Sequence, residues 1–198
     1  RPIIDTINAM ISSKIGHYLI FLPSGKYLND VVEAFEKQNP TIDVLVQEND
    51  MSPEERQSFI DTFKQNDDST LVGFALLGGI FCEGIDLKGS HLIGVGIVSV
   101  GLPGLNPEND LIKYFFDAEN GHGFDFAYQL PGLNNVFQAA GRLIRTNHDV
   151  GNVVLMDQRF KQNRYQKLFP RNWHDGQLST SFNINQTKQK LKHFWQKH

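Results

Sequence analysis

The tightest constraint on this chain is the spacing of its short apolar runs. Tyr18 to Leu22, Thr70 to Leu77, Leu92 to Val100 and Asn152 to Met156 are each of strand length and almost unbroken in hydrophobicity, and Asp43 to Gln47 is a shorter run of the same kind. A strand with one wet face alternates apolar and polar residues, whereas one covered on both faces does not. Helical patterns fill the gaps. Pro23-Ser24-Gly25-Lys26 turns into a helix from Tyr27 to Gln38, and Ser52-Pro53-Glu54-Glu55 opens another to about Gln65 with a capping box and proline at its first position. This alternation predicts an α/β fold of five or more mostly parallel strands with helices on both faces. In such sheets ligand sites gather beyond the carboxyl ends of the strands.

The length and the single alternating pattern imply one domain over residues 1–198. Ile3, Ile4, Ile7, Met10 and Ile11 recur at helical spacing ahead of Gly16, and a chain that opens into a helix without a starting methionine reads as cut from something longer. Pro103 and Pro107 bracket a loop, Glu108 to Asp117 has a helical pattern, and Gly121, Gly123 and Gly132 punctuate a poorly patterned stretch. An irregular insertion is therefore expected near 101–132. Leu178 to Phe182 reads as a possible strand, and Leu191, Phe194 and Trp195 mark an amphipathic helical extension near 184–197.

Composition narrows the classes of function. Cys82 is the single cysteine, which excludes an internal disulfide and any multi-cysteine metal site, and His122, His148 and His174 are scattered without ligand spacing, so no metal site is expected. No apolar run approaches the roughly 18–20 residues of a membrane span, and the opening residues lack a signal peptide's pattern. A cytoplasmic protein without membrane contact is expected. The formal net charge of −3 argues against binding nucleic acid by bulk electrostatics, so any such contact is local.

Three constellations carry chemistry. From Val136 to Arg145 a helix would set Gln138, Arg142 and Arg145 on one stripe at i, i+4 and i+7. Paired guanidiniums suit phosphate oxygens, although such a stripe is also an ordinary solvated helix face. Directly after the run ending at Leu77, a glycine-rich loop brings Glu83 and Asp86 to either side of Gly84; it reads either as a site accepting from ribose, water or an arginine, or as a turn with exposed acids. Ser24, Gly25 and Lys26 stand at a helix start, where free N–H groups favour a phosphate and where Ser24 also serves as an N-cap. Lys188, Lys190, Lys192 and Lys197 read as a solvated face. Gly94-Val95-Gly96 lies inside a strand and lacks a third glycine, so it is no dinucleotide fingerprint.

With these residues together, the chain resembles the second RecA-like domain of superfamily 2 helicases of the XPD/DinG type. Gln138-x-x-Gly141-Arg142-x-x-Arg145 is similar at every fixed position to helicase motif VI, Phe81 to Asp86 to motif V, and Tyr18 to Asn29 to motif IV. Asp149, Gly151, Val153 to Asp157 and Arg159-Phe160 resemble the family's continuation. The resemblance implies a RecA-like fold and a part in an ATP-dependent DNA helicase that translocates on single-stranded DNA in repair or replication. It implies Arg145 as an arginine finger, Arg142 beside it, and Gln138 orienting the phosphate or water. Glu83, Gly84 and Asp86 would couple nucleotide to DNA, and Ser24, Gly25 and Lys26 would bind the DNA.

No phosphate-binding P-loop, Asp-Glu-Ala-His box or four-cysteine cluster occurs here. The resemblance places all three in an N-terminal RecA-like partner domain, which would bind most of the ATP and Mg2+ and any iron–sulfur cluster. The chain alone is then expected to be inactive. The alternative is a non-catalytic nucleic-acid or protein interaction module, which would bind a partner tightly by itself.

Overall fold

The computed structural model describes residues 2–65, 68–81, 87, 91–143, 150–175 and 177–198. Helix α1 (Pro2–Ser13) leads into β1 (His17–Leu22), α2 (Gly25–Gln38), β2 (Asp43–Val46), α3 (Pro53–Lys64), β3 (Leu71–Leu76) and β4 (Leu92–Val98). There follow α4 (Pro107–Asn120), a π-helical turn (Asp125–Gln129), α5 (Leu130–Ala140), β5 (Asn152–Met156), the short α6 (Asn163–Gln166) and α7 (Ile184–Lys197). The strands form one sheet in the order β2-β3-β1-β4-β5, with every neighbouring pair parallel. The expected α/β architecture is present.

Alternation along β1 shows why its run is continuous. Leu19 and Phe21 point to one face, where they meet Phe59, Ile60 and Phe63 of α3 and Leu133, Val136 and Ala139 of α5. Tyr18, Ile20 and Leu22 point to the other, against Ile4, Ile7 and Met10 of α1, Val32 and Phe35 of α2, and Leu191 of α7. All six residues of β1 are buried. Burial of each large side chain stabilises by roughly 1.5–3 kcal/mol, so the central strand holds two cores together. His17, almost fully buried, satisfies its ring through Nδ1, which lies 2.8 Å from the Phe63 carbonyl and so carries the proton.

The helix starts follow their sequence signals. Ser52 Oγ accepts from the Glu55 N–H at 3.1 Å while the Glu55 carboxylate accepts from the Ser52 N–H at 2.7 Å, completing the capping box. Three expectations need correction. Residues 178–182 form no strand: Ser179 Oγ and the Thr180 carbonyl instead accept from Lys190 Nζ of α7. The stretch near 101–132 is largely helical: Asn106 caps α4 by accepting from the Asn109 N–H at 2.8 Å, Pro107 takes its first position, and the π-helical turn runs directly into α5. The helix expected from Val136 to Arg145 begins earlier and ends at Ala140. Arg142 and Leu143 bond back three residues, to the Ala139 and Ala140 carbonyls at 3.2 Å, in a tighter turn.

Candidate functional site

Parallel pairing brings the carboxyl ends of all strands to one edge. The chain passes from β3 across β1 to β4, so its winding reverses between β1 and β4, where open parallel sheets bind ligands. The turn after β1 lies at this edge. Ser24 caps α2 there: its Oγ accepts from the Tyr27 N–H at 3.2 Å and its carbonyl accepts from Leu28 at 2.9 Å. Lys26 is exposed, and a β-carbon on Gly25 would meet nothing within 4 Å, so the outer side of the helix start is open. The capping reading of Ser24 is thus met.

The loop after β3 starts under firm control. Gln47 Oε1 accepts from the Leu76 N–H at 2.9 Å, and Leu77 donates to the Leu22 carbonyl at 2.8 Å. Gly78 then takes a positive φ of 76°, and its missing side chain makes room for Asn135 of α5. Phe81 is buried and stacks on Phe59 at 4.3 Å, and Leu87 is buried in the same core. The predicted residues Glu83, Gly84 and Asp86 lie outside the described residues, as does Arg145.

Helix α5 joins the two edges of the sheet. At the carboxyl edge its first turn touches the loop after β4 backbone to backbone: a β-carbon on Gly101 would stand 2.5 Å from the Gly132 carbonyl oxygen. Beyond its other end, a β-carbon on Gly151 would stand 2.8 Å from Leu143 and 2.7 Å from the Ile93 carbonyl, where β4 and β5 begin. The helix therefore descends from the carboxyl to the amino edge, and Arg142, beside Leu143, lies far from Ser24 and Lys26. Of the predicted residues that are described, Ser24, Gly25 and Lys26 stand at the carboxyl edge and Arg142 lies toward the amino edge. Arg142 is half-buried, with Nε donating to the Gln138 carbonyl at 3.4 Å, and Gln138 Oε1 is buried without a hydrogen-bond partner among the described residues.

Beyond β5, Asp157 accepts from Arg159 at 3.0 Å from Nε and 2.7 Å from Nη2. Burial pushes the Asp157 carboxyl up, but the Arg159 guanidinium and N–H outweigh it and hold the group below its ordinary range. Among the described residues no group of three or more His, Cys, Asp or Glu is placed to hold a metal ion. A cavity of about 400 Å³ opens at the amino edge among His17, Asp68, Ser69 and His91, and none of the predicted residues lines it.

The family model described as the helicase C-terminal domain matches residues 7–176, most of the chain. The chain belongs to the helicase C-terminal domain family. This helicase C-terminal domain is 24% identical over 195 residues to the ATP-dependent DNA helicase chl1 of Schizosaccharomyces pombe, covering 89% of this chain and 23% of that protein. It is 33% identical over 91 residues to the ATP-dependent DNA helicase DinG of Photobacterium profundum, covering 45% of this chain and 13% of the relative. The domain thus spans less than a quarter of either relative's length. Among solved structures, one described as XPD helicase superposes with a TM-score of 0.67 at 22% identity, over 84% of this chain and 29% of that one. The C-terminal domain of the DEAD-box protein Dbp5 superposes with a TM-score of 0.51 at 14% identity, over 96% and 90%. Both likenesses concern the fold, which is that of RecA-like helicase domains.

Sequence reading missed several residues that shape this helicase domain. Gln47 fixes the exit of β3, Asn135 touches Gly78, and Gly101 and Gly132 seat α5. Gly132 was legible as a break, but its contact with Gly101 spans two segments and has no local signal. The described residues include no helix long and apolar enough to cross a membrane.

Proposed function

We propose that this domain is the second motor half of an ATP-dependent DNA helicase, acting on single-stranded DNA together with an N-terminal RecA-like domain of the same protein. In this reading Arg145 is the arginine finger on an ATP held mainly by that first domain, with Arg142 beside it. Gln138 orients the phosphate or the attacking water, and Glu83 and Asp86, around Gly84, relay between nucleotide and DNA. Mg2+ accompanies the nucleotide on the first domain. The Gly25 and Lys26 N–H groups at the start of α2, with the Lys26 ammonium, hold a DNA phosphate.

The observation that carries the reading is the course of α5. It touches the exit of β3 through Asn135, and the tighter turn that follows it reaches the amino edge at Leu143, on a chain matched by the helicase family over residues 7–176. DNA at the carboxyl edge and ATP near the arginines would then meet different sides of the domain, with one rigid helix between them. The relatives' names supply the reaction class, and their greater length supplies the expectation of a first domain.

The test is steady-state ATP hydrolysis with and without single-stranded DNA, comparing this chain, the longer protein that carries it, and its Arg145→Ala and Arg142→Ala variants. An arginine finger contributes about 10³–10⁵ in rate in other nucleotide hydrolases. The expected result is DNA-stimulated turnover by the longer protein, silence from the isolated domain, and loss on Arg145→Ala with an unchanged circular dichroism spectrum. Hydrolysis by the isolated domain, or retention of more than about a tenth of the rate by Arg145→Ala, would overturn the assignment.

A further inference from the structure

Helix α4 turns much of its apolar surface outward. Two of its acids are tied to the residues that follow it: Asp110 accepts from the Tyr128 hydroxyl at 2.7 Å, and Asp117 accepts from the Gly123 N–H at 2.9 Å. Four of its apolar residues face solvent, with Leu111, Tyr114 and Phe115 exposed by 69%, 69% and 63% and Ile112 by 42%, and no residue of α4 is buried. Glu108, Leu111, Ile112, Phe115 and Glu119 follow i, i+3, i+4, i+7 and i+11, a single stripe with a carboxylate at each end. An apolar stripe turned outward marks a contact surface.

The helix stands on a rigid base. Phe116 stacks on Phe126 at 4.3 Å. Arg164 of α6 donates to Asp125 at 3.0 Å and to Gln129 Oε1 at 3.2 Å, Gln129 Nε2 donates back to the Arg164 carbonyl at 2.7 Å, and the guanidinium lies over Phe124 at 5.0 Å. These contacts clasp the π-helical turn at both ends, so the stripe is pre-organised and little freedom is lost when it is covered.

Charge selects what covers it. The helix carries four acids and one lysine, and Lys113 is already paired with Asp117 at 3.1 Å. Nucleic acid phosphates and anionic lipid would meet Glu108 and Glu119. A second copy packed antiparallel on the same stripe would set those carboxylates against each other. We propose that the outer face of α4 docks an amphipathic helix of a partner protein, whose apolar stripe is flanked by Lys or Arg about 11 residues, or roughly 16 Å, apart. This surface is independent of the nucleotide and DNA reading above.

The test is fluorescence anisotropy with a synthetic helical peptide carrying leucines at i, i+3, i+4 and i+7 between two lysine-bearing ends, against the same peptide with glutamate ends and against labelled oligo(dT). Both this chain and the longer protein are titrated. The lysine-ended peptide should bind both and the glutamate-ended one at least about tenfold more weakly, a difference of ~1.4 kcal/mol. Phe115→Ser and Leu111→Ser, on exposed positions, should abolish binding while leaving thermal unfolding unchanged. The Glu108→Lys, Glu119→Lys double variant should reverse the preference between the two peptides. Equal binding of both peptides, or binding indifferent to the serine substitutions, would overturn the proposal. So would oligo(dT) binding lost on Phe115→Ser, self-association lost on the same substitution, or binding to this chain but not to the longer protein.

Discussion

Asn135 of α5 rests against Gly78 in the exit from β3, its side-chain nitrogen 3.0 Å from where a β-carbon on Gly78 would stand. Gly78 also has φ of 76°, so a side chain there meets both strain and crowding. Gly78→Ala should destabilise the domain by about 1–3 kcal/mol, read from urea unfolding. Pairing it with Asn135→Gly should recover the crowding share only. Full recovery by the double variant would show that the backbone conformation costs nothing.

The Gly101–Gly132 contact gives a sharper expectation. A β-carbon on Gly132 would stand 2.8 Å from the Val100 carbonyl oxygen and 2.9 Å from Gly101 carbon and oxygen, all backbone atoms without a rotamer to yield. Gly132→Ala should cost about 1–3 kcal/mol or more, as over-packing does. Gly104→Ala is the control, because nothing stands within 4 Å of its β-position and it should fall within about 0.5 kcal/mol of the parent. Equal effects at the two sites would remove the contact from the account of how α5 is seated.

Capping and ligand binding separate at the start of α2. Ser24→Ala removes the acceptor for the Tyr27 N–H and should cost about 0.5–2 kcal/mol of stability. Exposed Lys26 has no hydrogen bond or ion pair to another described side chain, so Lys26→Glu should leave stability nearly unchanged while weakening single-stranded DNA binding and flattening its salt dependence. Unaltered binding by Lys26→Glu across a salt series would take the DNA contact away from this turn.

Alkaline pH offers an independent probe of the core. Burial pushes the Tyr18 phenol up to about 12 from its ordinary 10.0, with a hydrogen bond from Ser13 acting the other way. Between those values the folded chain keeps a proton that the unfolded chain gives up. The contribution is therefore complete below about pH 10 and is lost as pH rises toward 12, to the extent of about 2–3 kcal/mol. Tyr128, chiefly through its bond to Asp110, and Tyr165, chiefly through burial, are raised as well. Urea unfolding between pH 9 and about 12 should show stability falling, and Tyr18→Phe should make the fall shallower. An identical slope in Tyr18→Phe would refute the assignment.

The sheet was legible because its signal is local. Tyr18 to Leu22 and Thr70 to Leu77 are continuous apolar runs, and Ser52 to Glu55 writes its own helix start, so strands and caps follow from a few neighbouring residues. Where the outcome depends on distant partners, the pattern misled. Leu178 to Phe182 has a strand-like composition, yet Lys190 claims its polar groups. Gly132 reads as punctuation in a poorly patterned stretch, yet it lies in the first turn of α5. The site was legible as residue types but not as a place: Gln138 and Arg142 share a segment in sequence, whereas their distance from Ser24 follows from the direction in which α5 crosses the sheet.

That crossing also has a mechanical side. Helix α5 is fastened at its first turn by backbone against backbone, and its eleven residues span about 16 Å from there toward the opposite edge. Side-chain contacts absorb small displacements by changing rotamer, but two abutting peptide groups cannot. A displacement of the loop after β4 therefore meets the first turn of α5 with no side chain between them to yield.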